Sequence, residues 1–286
     1  MAFGTHIRTY FENRWHDGDI AVMRAADHGI WQGSSVFDGA RQFDGVAPDL
    51  AAHCARVNRS AEALMITPTV GTAEMVEIAR EGLRAYGPGK AVYIRPMYWA
   101  LDGSDLGVAP MAGATGFALC LEAVPMPDAA TTTTLTRTRF RRPVLEDNVC
   151  NAKAGCLYPN NARMLVEAKA KGFGNALVAD AMGNVAETAT ANVFMVRDGV
   201  AFTPIANGTF LSGITRARHI ANLRADGVEV VETVLSFDDF HAADEVFLSG
   251  NFAKVTPVRE FDGTSYQHGP VTRRARQLYM DWAHSA

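Results

Sequence analysis

The sequence predicts a mixed α/β (α+β) protein built in two parts, on three observations. Apolar residues recur at helical spacing in some stretches and cluster at strand length in others. A stretch rich in proline and threonine, Pro125–Thr134, interrupts that pattern near the middle of the chain. The 286 residues, 48% hydrophobic and 20% charged, suffice for one large or two ordinary domains with a packed core. The predicted division is a smaller N-terminal α/β domain over 1–124, a linker over 125–134 and a larger C-terminal domain over 135–286.

The elements follow in order. Over Pro48–Met65, Leu50, Cys54, Val57, Ala61 and Leu64 fall on one helical stripe, with Pro48 near the entrance where its missing N–H is tolerated. Thr72 opens a second helix through Met75, Ile78, Ala79, Leu83 and Tyr86, ended by Gly87. Ala91–Ala100 and Thr115–Pro125 read as strands rich in β-branched and aromatic residues. After the linker, turn residues at Met182–Asn184 and Asp198–Gly199 predict two hairpins. A helix runs through "GITRARHIANLRA" to Gly227, "DEVFLSG" is a short strand, and Pro270 opens a last helix with Val271, Leu278 and Trp282 facing inward.

Composition removes several classes. A net charge of −4 with no block of Lys and Arg argues against a nucleic-acid partner. "MAFGTHIRTYFENRW" has no signal-length apolar run and no stretch approaches a membrane span, so a cytoplasmic protein without membrane partners is expected. Cys54, Cys120, Cys150 and Cys156 form no CxxC pair and there is no HExxH, so free, mostly buried thiols and no metal are expected. "GFGNAL", Gly172–Leu177, is the nearest approach to a dinucleotide loop and lacks the third glycine.

The chemistry centres on "VCNAKAGCLYPNN", Val149–Asn161, where one amine, Lys153, sits among small residues with a phenol at Tyr158. Alone, Lys153 reads either as a lysine reaching solvent or as an amine made reactive by desolvation, ready for a Schiff base. Leu211–Ile220 starts a helix with Ser-Gly-Ile-Thr, where unpaired N–H groups and the dipole suit a phosphate, or simply a capped helix. Glu187 among Ala and Thr is either exposed or needs an internal cation. Arg56, beside an apolar helical stripe, could neutralise a phosphate or lie along the surface. Together these are the parts that pyridoxal 5′-phosphate requires: an amine for its aldehyde, a carboxylate for its ring nitrogen and a phosphate seat. A non-catalytic binding module has no reason to combine them.

"HGIWQGSSVFDGAR", "NAKAGCLYPNNARM", "GNVAETATANVF", "FLSGITR" and "DEVFLSGNFAKVTPV" occur in this order. With them nearly the whole chain resembles the branched-chain aminotransferase group of fold type IV pyridoxal-phosphate enzymes, whose stretches read YGxSVFEGIR, KAGGNY, SEGxxxN, LPGITR and SGTAAEITPV. The resemblance implies the two-domain fold type IV (D-amino acid aminotransferase-like), with the cofactor between the domains. It implies a transaminase moving the amino group of a hydrophobic, branched-chain L-amino acid to 2-oxoglutarate. Lys153 would form the Schiff base and shuttle the α-proton, Glu187 would pair with the pyridinium and Tyr158 with the ring oxygen. Arg56, Gly213, Ile214 and Thr215 would hold the phosphate, and Leu211 would pack on the ring.

For the substrate, Tyr93 and Arg95 match the YIRP strand, Arg95 as partner for a dicarboxylate. Phe37 and Gly39 would form an apolar wall. Val108 would reach the site of a neighbouring subunit, which implies a homodimer or higher homo-oligomer. The chain departs from the family at SGTAAE, which here reads Ser249-Gly250-Asn251-Phe252-Ala253-Lys254. Asn251 can still donate to phosphate, while Phe252 and Ala253 stand where backbone amides meet the substrate carboxylate. Gln32, after Trp31, replaces a pocket tyrosine. These departures leave open a D-amino acid or R-amine transaminase, or an aminodeoxychorismate lyase, within the same fold type.

Overall fold

The computed structural model describes residues 4–285. It divides into two compact units, the chain as far as Met126 together with Ala152–Leu157, and Pro127–Asn151 together with Tyr158 onward. The first unit therefore takes back a short segment, the one carrying Lys153, after the chain has entered the second. Composition gives no sign of that return.

In the first unit the elements are β1 (Thr5–Phe11), β2 (Arg14–Asp17), α1 (His28–Trp31), β3 (Ser35–Phe37), β4 (Ala40–Gln42), α2 (Leu50–Ala63), α3 (Thr72–Leu83), β5 (Val92–Ala100) and β6 (Thr115–Ala123). They build an antiparallel sheet in the order β2-β1-β6-β5-β3, with β4 also on β5. The α2 stripe is buried as its spacing predicts, yet His53, Arg56 and Ser60 are buried on that helix with Leu50, Cys54, Val57 and Ala61. Polar groups inside need partners, and theirs are described below. Leu83 closes α3, and Gly87 follows in left-handed backbone at φ 71.

The second unit holds β7 (Thr133–Arg141), α4 (Tyr158–Ala170), β8 (Asn175–Ala179), β9 (Val185–Thr188), β10 (Asn192–Arg197), β11 (Val200–Pro204), α5 (Ile214–Ala225), β12 (Val230–Thr233), α6 (Phe237–His241), β13 (Glu245–Gly250), β14 (Lys254–Phe261), β15 (Thr264–Ser265) and α7 (Pro270–Ser285). Its sheet runs β12-β11-β10-β13-β14-β7-β8-β9, with β15 on β14. β7 lies parallel to both β14 and β8. Thr133 and Thr134, at the end of the expected linker, already belong to this strand. Both hairpins form, β8 with β9 and β10 with β11, the second through Asp198 and Gly199 at φ 51 and 78.

Alternation along β10 and β13 splits their side chains between two cores. Val193, Met195, Val246 and Leu248 join a cluster with Phe240 of α6, while Phe194, Val196 and Phe247 join one with Ile220 and Leu223 of α5 and Val271 and Ala275 of α7. One expectation for α7 is corrected. Its buried line is Val271, Thr272, Ala275, Tyr279 and Ala283, Leu278 is partly buried, and Trp282 is half-exposed with the Arg218 guanidinium 3.6 Å from its ring centroid. A cation held over a ring face keeps Trp282 at the rim instead of in the core.

Candidate active site

Lys153 is mounted by its backbone. Its N–H donates to Ser60 Oγ on α2 at 3.0 Å, and its carbonyl accepts from Phe37 N–H at 3.1 Å. The next residue, Ala154, bridges to Val36. A Cβ at Gly155 would stand 2.7 Å from Ser35 Oγ, so glycine admits this approach. The side chain is half-buried, with Nζ 4.8 Å from the centroid of the Phe37 ring. Phe37 is thus beside the amine.

Next in the chain, Asp38 is fully buried. Arg56 grips it with Nε at 2.6 Å and Nη2 at 2.8 Å, and His53 Nδ1 lies 2.7 Å from Oδ1. Burial pushes the Asp38 carboxyl up, but Arg56 and His53 prevail and hold it well below the ordinary carboxylate range. The expected phosphate ligand Arg56 therefore already carries a carboxylate in its own unit. Gly39 packs under Tyr93, where a Cβ would stand 2.0 Å from the hydroxyl. Tyr93 faces the Arg95 guanidinium, 5.2 Å from the ring centroid.

Arg95, expected to meet a dicarboxylate, pairs with the buried Glu122 at 2.6 Å. Arg41, which the sequence reading did not single out, is fully buried with Nη2 donating to the carbonyls of Val124 and Pro125. Burial lowers its guanidinium to about 10, with Tyr93 acting in the opposite direction. Val108 stands 72% exposed in a loop fastened by the Gly103–Pro110 bridge and by His28 Nε2 at 3.3 Å from the Gly107 carbonyl. Gln32 is exposed beside α1.

In the second unit Glu187 is buried on β9, and the cation that its setting demands is Arg142, with Nε 3.0 Å from Oε1. That contact is a charge pairing without hydrogen-bond alignment, since Arg142 Nε has no aligned acceptor. Arg142 Nη2 donates to the carbonyls of Thr188 and Ala189 at 2.9 and 3.2 Å, and Nη1 to Asn161 Oδ1. Asn192 Nδ2 donates to Glu187 Oε2 at 3.2 Å and reaches the Leu211 carbonyl at 3.4 Å. Arg142 and Asn192 were missed from sequence. Their signal was the need of an interior carboxylate for a cation, which names a residue type and no position. Tyr158 is half-buried at the first position of α4.

The start of α5 bears the marks of an anion seat. Its N-cap Gly213 offers no side chain to the first-turn N–H groups of Ile214 and Thr215. A Cβ at Gly213 would fall 1.9 Å from Asn192 Oδ1, so only glycine fits. Thr215 is buried and Leu211 half-buried. In the turn after β13, Asn251 Nδ2 is buried without a hydrogen-bond partner among the described residues. Phe252 is 52% exposed and Ala253 half-buried. Among the described residues no group of His, Cys, Asp and Glu is arranged to hold a metal. Cys54, Cys120 and Cys150 are buried and Cys156 is exposed, all as free thiols.

Comparison with known proteins places these residues in context. The family model for class IV amino-transferases matches residues 35–261. A crystal structure of an aminotransferase from Brucella abortus bound to the co-factor PLP is 57% identical, with a TM-score of 0.96 over 98% of this chain and 99% of that one. The putative branched-chain-amino-acid aminotransferase of Methanocaldococcus jannaschii is 32% identical over 283 residues, 96% of either chain. The branched-chain-amino-acid aminotransferase of Escherichia coli K12 is 32% identical over 284 residues, 93% of this chain and 89% of the relative.

Proposed function

This chain belongs to the class IV aminotransferases, and from that premise we propose a pyridoxal 5′-phosphate transaminase moving the amino group of a branched-chain L-amino acid to 2-oxoglutarate. The observation that carries the reading is the mounting of Lys153, held through its own N–H and C=O by Ser60 and Phe37 while its amine stands over the Phe37 ring. The cofactor, when bound, supplies an aldehyde for the amine and a ring that accepts the electrons released at the substrate α-carbon. The residues fit it: the orphaned Asn251 amide and the uncapped start of α5 suit a phosphate ester, and the buried Glu187 suits a protonated ring nitrogen.

Lys153 Nζ would anchor the cofactor, then carry the proton between the substrate α-carbon and the cofactor C4′ carbon. Glu187, paired with Arg142 and Asn192, would hold the proton on the ring nitrogen. Arg56, Gly213, Ile214, Thr215 and Asn251 would bind the phosphate, Tyr158 the ring oxygen, and Leu211 a face of the ring. Phe37, Gly39 and Tyr93 would enclose an apolar side chain, Arg95 would meet the distal carboxylate of the acceptor, and the amides of Phe252 and Ala253 the α-carboxylate. Val108, exposed on its loop, would complete the site of a second copy, making the enzyme a homodimer. Among the described residues no helix is long and apolar enough to cross a membrane, and we place the enzyme in the cytoplasm.

A second reading, a transaminase for a D-amino acid or an R-amine, draws support from the Arg95–Glu122 pair, which engages the cation expected for a dicarboxylate. The test is borohydride reduction of purified protein with peptide mapping, followed by a donor panel of L-Leu, L-Ile, D-Ala and (R)-1-phenylethylamine with 2-oxoglutarate. A label on Lys153 and preference for L-Leu or L-Ile are expected. A protein that takes up no cofactor sinks the reading, activity confined to D-Ala or the amine selects the second one, and pyruvate released without an acceptor selects a lyase.

A further inference from the structure

Lys254 has no part in the function just proposed. It opens β14 with 1% of its surface exposed, in left-handed backbone at φ 66. Its ammonium donates to Asn251 Oδ1 at 2.6 Å and lies 5.3 Å from the centroid of the Tyr279 ring. His219, whose Nε2 is 3.1 Å from the Lys254 carbonyl, is held down to about 4, chiefly by burial, so it brings no second cation near neutrality.

An ammonium has donors only. The Asn251 oxygen must therefore face Lys254, which turns the Asn251 NH2 group the other way. The usual ambiguity between the two ends of an amide is settled by this contact. That NH2 group is buried and has no hydrogen-bond partner among the described residues, an arrangement that calls for an acceptor.

We propose that Lys254 is a positioning residue for the cofactor phosphate: it locks Asn251 as an amide donor to that group. The proposal rests on the cofactor reading above. Two departures from SGTAAE then become one matched pair, Asn251 in place of Thr and Lys254 in place of Glu. A threonine hydroxyl rotates to suit its acceptor and needs no lock. An amide flipped by half a turn would present its oxygen to the phosphate, and a glutamate at 254 would favour that flip by drawing the NH2 group toward itself. Lysine at 254 holds the productive end forward.

The test compares apoenzyme affinity for pyridoxal 5′-phosphate with that for pyridoxal, which lacks the phosphate, by absorbance titration. For Lys254→Met the phosphorylated ligand is expected to weaken about tenfold or more, the scale of a hydrogen bond to a charged group, with pyridoxal unchanged. Lys254→Glu is expected to be worse, and Asn251→Thr added to it should restore the ratio. Asn251→Asp, which keeps a partner for Lys254 and removes the donor, should reproduce the selective loss even if Lys254→Met fails to fold. An unchanged ratio in these variants, or equal losses for both ligands, overturns the proposal while leaving the cofactor reading intact. Wild-type apoenzyme that takes up neither ligand overturns both.

Discussion

A buried carboxylate–arginine pair in the first unit, Asp38–Arg56, and one in the second, Glu187–Arg142, are built differently. In the first, both Asp38 oxygens are gripped: Oδ1 by Arg56, His53 and the Gly39 N–H, Oδ2 by Arg56. In the second, Glu187 meets Arg142 as a charge without aligned hydrogen bonding, and a neutral amide, Asn192, holds its other oxygen. The Asp38 network orients Arg56 in the unit that mounts Lys153; in the function proposed above Glu187 would instead serve the chemistry.

The largest effect should come from the amine. Lys153→Ala is expected to lower transamination by about 10³ or more, since covalent anchoring and proton transfer both go. The backbone groups that fasten the segment to Ser60 and Phe37 remain in alanine, so the melting temperature should stay within a few degrees. Near-wild-type turnover would remove Lys153 from the chemistry.

Asp38→Ala should act mainly on stability, by about 3–5 kcal/mol, because it leaves the buried Arg56 without its carboxylate. The pH dependence has a definite sign. The Asp38 carboxyl is depressed in the folded protein, so its contribution is complete above the ordinary carboxylate pKa and is lost as pH falls toward the folded value. Denaturant melts of wild type and Asp38→Ala should therefore differ most near neutrality and converge in acid. His219 adds to the acid sensitivity: depressed to about 4, it favours the unfolded chain as pH drops below about 6.5. A stability gap that stays constant from pH 7 to pH 3 contradicts the scaffold role of Asp38.

Glu187→Gln sharpens the contrast. The amide still accepts from Asn192, and Arg142, though it loses its charge partner, keeps its hydrogen bonds to Asn161 and to the Thr188 and Ala189 carbonyls. The loss of stability should therefore stay below the loss of about 3–5 kcal/mol expected for Asp38→Ala. Turnover should fall by about 10², the scale for removing one oriented electrostatic group from an active site. A large loss of stability with little loss of turnover would reverse the roles assigned to the two carboxylates.

How much of this was legible follows the range of the interactions. The α2 and α3 stripes and the Asp198–Gly199 turn are local patterns that the sequence carries, whereas α3 ends at Leu83, short of Tyr86 and the glycine at 87. Lys153, Glu187 and the Gly213–Thr215 helix start were picked out because their residue types were odd for their surroundings. The parallel placement of β7, between β14 and β8, joins strands far apart in the chain, and its Thr-rich start looked like a linker. Arg142, Asn192 and Asp38 meet partners supplied by other elements, so no single stretch displays them. Arg56 and Arg95 were read as cations awaiting a ligand. The folded chain gives each a carboxylate of its own.

Arg95 allows the smallest and most discriminating test of that last point. Its Nη2 is 2.6 Å from Glu122 Oε1, and the other Glu122 oxygen accepts from Gly4 N–H at 3.1 Å. Glu122 is buried and Arg95 half-exposed, so one face of the guanidinium is engaged while its remaining donors can meet a substrate. Arg95→Gln should raise KM for 2-oxoglutarate by about tenfold, with the half-reaction from L-Leu unchanged, and should cost about 1 kcal/mol of stability by weakening the hold on Glu122. Adding Glu122→Gln should recover the stability and leave KM high, because the buried charge is gone and the acceptor's partner is still missing. If the double variant recovers KM as well, Arg95 acts only as the counter-ion of Glu122, and the dicarboxylate must be met by another group.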